Sequence, residues 1–184
     1  VWFVVGIPIY FQSVLSDGTP EGARAAFFLI GSFMAVWIIA YGAVQAFAPR
    51  ILRAATKPEA QIVGQAILWA GLLVPIPLVL AGLAYLAGAP ADWLTLTLVA
   101  GLLAFGFVFA INSAVHSYLI LAFSSDARVT MDVGFYYMSN AAGRLLGTLL
   151  SGLSYQIGGI PLCLGTAGVM AAASWWAVRR LRAV

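Results

Sequence analysis

The chain has 184 residues, of which 63% are hydrophobic and 8% are charged, with a formal net charge of +3 and a mean hydropathy of +1.01. Soluble domains carry roughly 25% charged residues, so this chain could not cover a folded surface in water. The composition excludes a soluble globular domain and predicts an all-α integral membrane protein in contact with the lipid bilayer.

Long apolar stretches recur along the chain, separated by short runs that contain charged residues, Gly and Pro. Because a span needs about 20 mostly apolar residues, we predict six transmembrane helices. They cover residues 1–15, 25–48, 61–87, 93–123, 132–156 and 162–178. The first stretch is short, and no basic segment precedes it as in a signal peptide. We therefore expect a piece of a longer protein that begins inside a helix.

The spans are predicted to be helices because their apolar runs are continuous and lack the alternation of β-barrel strands. Connections of roughly 3 to 12 residues make successive helices antiparallel neighbours. Pro8, Pro75 and Pro77 lie within predicted spans, where each proline removes a backbone hydrogen bond. These prolines predict kinks in the first and third helices.

Basic residues fall mainly on one side of the predicted topology. The connections at 49–60 and 124–130 and the C-terminus carry Arg50, Arg53, Lys57, Arg128, Arg179, Arg180 and Arg182. The opposite side carries Arg24 alone. Because cytoplasmic loops are enriched in Lys and Arg, we expect the first group, with the C-terminus, to be cytoplasmic.

Arg144 lies near the middle of the fifth predicted span, where a guanidinium costs at least ~2.5 kcal/mol to insert. It belongs to a stripe of polar residues that recur every three or four positions: Tyr137, Asn140, Arg144, Thr148, Ser151 and Tyr155. This spacing places the stripe on one helix face. Arg144 is therefore a candidate to contact substrate, with Tyr137, Asn140 and Thr148 beside it. The alternative is a structural Arg paired with a carboxylate or with helix-end carbonyls.

His116 lies toward the cytoplasmic end of the fourth predicted span, one turn after Asn112. The pKa range of histidine suits proton exchange near neutral pH, so His116 and Asn112 are further candidates for the site. The alternative for a lone histidine is a packing or hydrogen-bonding role.

Residue patterns typical of enzymes do not occur in the sequence. It contains no intramembrane pair of carboxylates, no histidine cluster and no glycine-rich nucleotide loop. Cys163 is the single cysteine, which excludes a disulfide framework and a cysteine metal site. We expect no enzymatic activity, no metal and no cofactor.

The six predicted helices, the basic connection after the second and the basic C-terminus resemble one half of a major facilitator transporter. That family has twelve helices in two six-helix halves, which pack around a central cavity with the substrate near the midplane. Gly42, Arg50 and Arg53 match the family's loop signature loosely, whereas Ala46 and Pro49 depart from it. The resemblance implies that the chain is the C-terminal half and that the N-terminal half is missing.

Two strings are similar to the organoarsenical efflux permeases of bacteria. They are Asn112-Ser-Ala-Val-His-Ser-Tyr-Leu-Ile-Leu-Ala122 and Gly134-Phe-Tyr-Tyr-Met-Ser-Asn-Ala-Ala-Gly-Arg-Leu-Leu-Gly-Thr-Leu-Leu-Ser-Gly152. This resemblance implies export of 1-arseno-3-phosphoglycerate across the bacterial inner membrane and resistance to arsenate. It also implies a functional link to glyceraldehyde-3-phosphate dehydrogenase, which forms that compound when arsenate replaces phosphate.

A guanidinium fork suits phosphate, carboxylate or arsenate oxygens, so the residues agree with a small anionic substrate without selecting arsenic. Two alternatives remain open. The same fold could export a sugar, a drug or a phosphate ester, although Arg144 disfavours neutral and cationic cargo. The helices could also form a non-transporting subunit of a membrane complex, with Arg144 in an internal ion pair.

Overall fold

A computed structural model describes residues 3–53, 57–125 and 128–181 of the chain. In these ranges all regular secondary structure is helical and no strand is present. The helices are α1 (Phe3–Leu15), α2 (Pro20–Leu52), α3 (Glu59–Leu72), α4 (Pro75–Ala87), α5 (Asp92–Phe123) and α6 (Val129–Val178).

Four helical stretches are long and apolar enough to cross a membrane, namely Pro20–Leu52, Glu59–Ala87, Asp92–Phe123 and Val129–Val178. The second of these joins α3 and α4 across a break at Leu73 and Val74. Pro75 begins α4, and its missing N–H cannot bond to the carbonyl one turn earlier. This break is the kink that Pro75 and Pro77 predict.

Helix α2 extends beyond the predicted range 25–48 at both ends. It begins at Pro20 because the Thr19 hydroxyl accepts a hydrogen bond from the N–H of Gly22 at 3.0 Å, and Pro20 suits the first helical position. The expectation that the helix ends before Pro49 was wrong. The helix continues to Leu52 and ends at Arg53, which adopts a left-handed conformation with φ of 50°.

Helix α6 contains both the fifth and the sixth predicted stretches, and it is interrupted in the short run of residues between them. Gly158 (φ −143°, ψ 22°) and Gly159 (φ 63°, ψ −156°) leave helical geometry inside it. We call residues 129–157 the N-terminal arm and residues 160–178 the C-terminal arm. Gly6 of α1 lies against Tyr155 of the first arm and Cys163 of the second, so the two arms fold back toward each other.

Two clusters of buried apolar side chains hold the helices together. The kink-end cluster joins α1, α2, α4, α5 and α6 through Ile7, Tyr10, Phe11, Ile30, Leu80, Ala84, Leu94, Leu98, Leu102, Ile160 and Leu164. The basic-end cluster joins α2, α3, α5 and α6 through Ala48, Leu52, Ile62, Val63, Ala66, Ala70, Ile111, Val115, Leu119 and Val178. The second cluster brings the C-terminal ends of α2, α5 and α6 to the start of α3, which defines the basic end of the bundle.

The outward surface of the bundle is apolar. Phe27, Leu86, Leu96 and Ile157 are each about two-thirds or more exposed, at 68%, 80%, 71% and 71%. In water such a surface would favour association, whereas lipid makes the exposure favourable.

Candidate substrate cavity

Arg144 lies halfway along the N-terminal arm of α6, fifteen residues after Val129 and fourteen before Gly158. At 1.5 Å of rise per residue, its Cα is about 20 Å from either end of the arm. Its side chain is exposed at the surface of the described helices. The guanidinium therefore lies at mid-depth, too far from either end to reach the headgroups easily.

No carboxylate among the described residues lies beside Arg144. The described acids are all in connections or in the first turn of a helix, and they are Asp17, Glu21, Glu59, Asp92 and Asp132. Asp132, which starts the same arm, is twelve residues and about 18 Å away along the helix axis. Within the described part of the chain, the pairing of Arg144 with an acid has no candidate.

Arg144 opens into a cavity of about 460 Å³ that is bounded by α3, α5 and both arms of α6. The polar residues that line it are Asn112, Asn140, Arg144 and Ser174. Arg144 is the one charged residue among the described residues that line the cavity. The structure thus brings together three of the residues that the sequence singled out, which are Asn112, Asn140 and Arg144.

Asn112 lines this cavity from α5, whereas Arg144 lines it from α6. Its side-chain oxygen Oδ1 is buried and has no hydrogen-bond partner among the described residues. An unpaired buried acceptor costs about 1–3 kcal/mol. The carboxamide of Asn112 is therefore held in the cavity wall with unused hydrogen-bonding capacity.

His116 lies one turn beyond Asn112 on α5 and does not line the cavity. Its Nδ1 is 2.8 Å from the main-chain oxygen of Asn112. Since a carbonyl oxygen only accepts, Nδ1 carries the proton and donates it to that bond. The structure therefore places His116 outside the cavity lining, hydrogen-bonded to the backbone of Asn112.

Tyr137 and Thr148 share the face of Arg144 but also lie outside the cavity lining. Tyr137 is 65% exposed, and the Thr148 hydroxyl donates to the main-chain oxygen of Arg144 at 2.8 Å. The predicted polar stripe is not exposed along its whole length, because Ser151 is fully buried. The stripe therefore divides into an exposed part around Arg144 and a buried part nearer to Gly158 and Gly159.

An aromatic wall of the cavity was not predicted from the sequence. Phe105 and Phe109 line it from α5, with stacked rings whose centroids are 5.8 Å apart. Phe109 in turn contacts Tyr41, which stacks on Trp37 of α2. The spacing of four residues puts both phenylalanines on one helix face, but no signal in the sequence says which space that face lines.

A larger cavity of about 770 Å³ lies between α1 and α2. The described residues that line it include no charged side chain, and its polar side chains are Gln12, Ser13 and Ser16. A groove of this kind offers apolar contact but no fixed charge to orient a ligand. We therefore consider the smaller cavity, which contains the cation, as the candidate site.

Among the described residues, no three His, Cys, Asp or Glu side chains are close enough to hold a metal ion. The length and apolarity of the helices make the chain a multi-pass α-helical membrane protein. No family model matches the chain, and neither a curated protein nor a solved structure matches it.

Proposed function

We propose that this chain is half of a major facilitator transporter that exports a small organic anion. The observation that carries the proposal is the exposed guanidinium of Arg144 at mid-depth of an apolar helix, on the wall of a cavity. Charged residues at this depth are costly and normally face a bundle interior or an aqueous path. A second six-helix unit would complete the cavity in front of Arg144.

The chemistry of the cavity favours an anionic cargo. Arg144 contributes a permanent positive charge with several N–H donors in one plane, which fits two oxygens of a carboxylate, phosphate or arsenate group. Asn140, one turn earlier, and Asn112 of α5 are neutral polar residues of the same lining. A cation in this cavity would meet repulsion from Arg144, so cationic drugs are disfavoured.

The particular cargo that we propose is 1-arseno-3-phosphoglycerate, on the basis of the two strings that are similar to organoarsenical permeases. Transport would then follow alternating access, in which two halves rock about the central site. Glyceraldehyde-3-phosphate dehydrogenase would supply the substrate in the cytoplasm. The chain would act in the bacterial inner membrane.

The basic end of the bundle would face the cytoplasm, as the distribution of Lys and Arg favours. The C-terminus follows α6 at this end, so it would be cytoplasmic too. Reporter fusions after Leu181 and within the connection at 88–91 provide the check, because these positions lie at opposite ends of the bundle. A C-terminal fusion that is active only outside the cytoplasm would reverse the orientation.

The experiment that tests the function is an arsenate resistance assay in an arsenic-sensitive bacterium. The strain expresses the full-length transporter with glyceraldehyde-3-phosphate dehydrogenase, and cellular arsenic is measured together with growth. We expect resistance only when both proteins are present, and we expect Arg144→Ala to abolish it. Leu145→Ala is the matched control, because Leu145 is the next residue, is 63% exposed and does not line the cavity.

Three results would count against parts of this proposal. If resistance survives Arg144→Ala at equal membrane expression, the substrate assignment stands but Arg144 is not needed for transport. Resistance that is lost equally in Leu145→Ala would point to a folding defect in both variants. Absence of resistance in every strain would contradict the arsenical assignment. Transport assays with other organic anions would then test whether the protein is an organic-anion transporter.

A further inference from the structure

The two ends of the bundle differ sharply in charge. The described basic residues at the basic end are Arg50, Arg53, Lys57, Arg128, Arg179 and Arg180, and the described acids there are Glu59 and Asp132. At the opposite end Arg24 is the one described basic residue, and Asp17, Glu21 and Asp92 are acidic. The basic end is therefore a surface of net positive charge that borders the apolar flank of the helices.

Three guanidinium groups at the basic end lie over aromatic rings. Arg179 is 5.0 Å from the ring centroid of Trp175 and Arg180 is 4.4 Å from that of Trp176. On α2, Arg50 is 5.3 Å from the ring of Phe47. In each pair the arginine follows its aromatic partner by three or four residues, so the ring lies deeper in the bundle and the charge lies nearer the end.

This arrangement leaves a defined part of each guanidinium available. Stacking on a ring occupies one face of the planar group, while the N–H donors at its edge can still bind two oxygens of one phosphate. Two of the three rings are also on the outside, since Trp176 is 57% and Phe47 is 54% exposed, whereas Trp175 is partly buried against the basic-end cluster. A ligand that contacts both the guanidinium edges and the exposed rings must combine an anionic headgroup with an apolar body.

We propose that the basic end is a binding surface for anionic phospholipids, with Arg179 and Arg180 and their tryptophans at its centre. The lipid phosphate lies against the guanidinium edges, and the upper acyl chain lies along the exposed rings. Trp and Arg are both suited to this boundary, where a side chain needs an apolar body and a polar tip. The inference does not depend on what the protein transports.

Lipid suits this surface better than nucleic acid or an acidic protein. The stacked arginines lie in the final turn of α2 and directly after the last residue of α6, two helices whose outer faces are apolar. Because these helices end at the headgroup region of the membrane, an anionic lipid is the anion within reach of both ring and charge. Each removed positive charge near such a surface should weaken binding about fivefold, which corresponds to roughly 1 kcal/mol.

The test measures binding of phosphatidylglycerol and phosphatidylcholine to the purified full chain in a neutral detergent by native mass spectrometry. We expect clear preference for phosphatidylglycerol, and Arg179→Gln/Arg180→Gln should weaken its binding about 25-fold while leaving phosphatidylcholine unchanged. Arg24→Gln is the matched control, because Arg24 also stacks on an aromatic ring, Phe28, at 5.9 Å, but at the opposite end. Its phosphatidylglycerol binding should stay within twofold of the parent chain.

Thermal unfolding in the same detergent checks that the double variant remains folded. If the double variant is unfolded, the single variant Arg179→Gln is measured in its place. Equal binding of the two lipids by the parent chain would overturn the proposal, as would an equal loss in Arg24→Gln. A third contradiction would be displacement of phosphatidylglycerol by millimolar inorganic phosphate, which would indicate a simple anion site without a lipid requirement.

Discussion

The hydroxyl oxygen of Ser151 lies 3.4 Å from the sulfur of Cys163, although the two residues are twelve positions apart in α6. In a straight helix the same separation would span about 18 Å. The contact is possible because the chain reverses at Gly158 and Gly159 between the two residues. The longest helical segment of the chain is therefore a hairpin, whose two arms enclose one side of the cavity at Arg144.

Gly159→Ala should destabilise the fold by about 1–3 kcal/mol. Gly159 has φ of 63° and ψ of −156°, a region that is essentially restricted to glycine because a Cβ atom would clash with its own backbone. Gly152→Ala is the matched control, since Gly152 is in regular helix and an added Cβ would meet nothing within 4 Å. It should be neutral or stabilising by up to about 1 kcal/mol.

Thermal or denaturant unfolding in detergent, followed by far-ultraviolet circular dichroism, measures both variants. The prediction fails if Gly159→Ala is as stable as the parent chain, because the hairpin would then not depend on that backbone conformation. Equal destabilisation by Gly152→Ala would instead indicate that any added methyl group is harmful in this arm.

The positions of the helix interruptions could largely be predicted from the sequence. The prolines at 75 and 77 and the glycines at 158 and 159 act through local backbone geometry, and the structure has a break at each pair. Pro8 and Pro49 are exceptions, because α1 and α2 continue through them without an interruption. Pro49 lies in the last turn of α2. One missing N–H near a helix end did not outweigh the packing of Ala48 and Leu52, both of which are buried in the basic-end cluster.

The composition of the cavity could be predicted only in part. Arg144 was conspicuous because a charge inside an apolar stretch has few explanations. Phe105 and Phe109 gave no such signal, since aromatic residues are common in every span. They line the cavity because of the way α5 is oriented about its own axis relative to α6. This orientation depends on contacts between residues far apart in sequence. A single sequence does not record those contacts.

Trp37→Phe should destabilise the packing of α2 on α5 by about 0.5–1.5 kcal/mol. The indole N–H of Trp37 donates to the main-chain oxygen of Leu102 at 3.0 Å, and phenylalanine keeps the ring but loses the donor. The indole lies directly over Gly106, where an added Cβ would be 2.7 Å from Nε1. Gly106→Ala should therefore cost more than Trp37→Phe, because the alanine methyl displaces the whole ring.

A double-mutant cycle measures this coupling. If the ring is the obstacle, Gly106→Ala should be less harmful in a Trp37→Ala background than in the parent chain. Strict additivity of the two changes would contradict the contact.

The pKa of Asp17 should lie below its ordinary value. The hydroxyl of Thr19 donates to its carboxylate oxygen Oδ1 at 2.7 Å, and the N–H of Thr19 donates to the same oxygen at 2.9 Å. Both bonds favour the ionised form. Because the folded pKa is depressed, the stabilisation is present above the unfolded pKa and is lost as the pH falls through the folded one.

Carbon-detected NMR titration of the Asp17 carboxyl group measures this shift directly. Thr19→Ala removes the hydroxyl and should raise the pKa toward the ordinary value, while also removing the cap of α2 at a cost of about 1 kcal/mol. A normal pKa in the parent chain, or no change in Thr19→Ala, would contradict the hydrogen bonds.

His116 should be found with its proton on Nδ1 when the imidazole is neutral. The bond of Nδ1 to the main-chain oxygen of Asn112 at 2.8 Å requires a donor at that nitrogen. Nitrogen-15 NMR of the ring distinguishes the two tautomers. If the neutral ring instead carries its proton on Nε2, the bond is absent and His116 is not fixed to the cavity wall.

Arg144→Gln should weaken anion binding about 10- to 100-fold, since a hydrogen bond to a charged group contributes roughly 1.5–3 kcal/mol. The thermal midpoint should change little, because Arg144 is exposed and no described carboxylate pairs with it. Isothermal titration with 3-phosphoglycerate measures binding, and unfolding in the same detergent measures stability. A structural ion pair would give the opposite pattern, because breaking a buried pair costs about 3–5 kcal/mol. A large loss of stability with unchanged anion affinity would therefore show that Arg144 holds the bundle together and leaves the cargo to other residues.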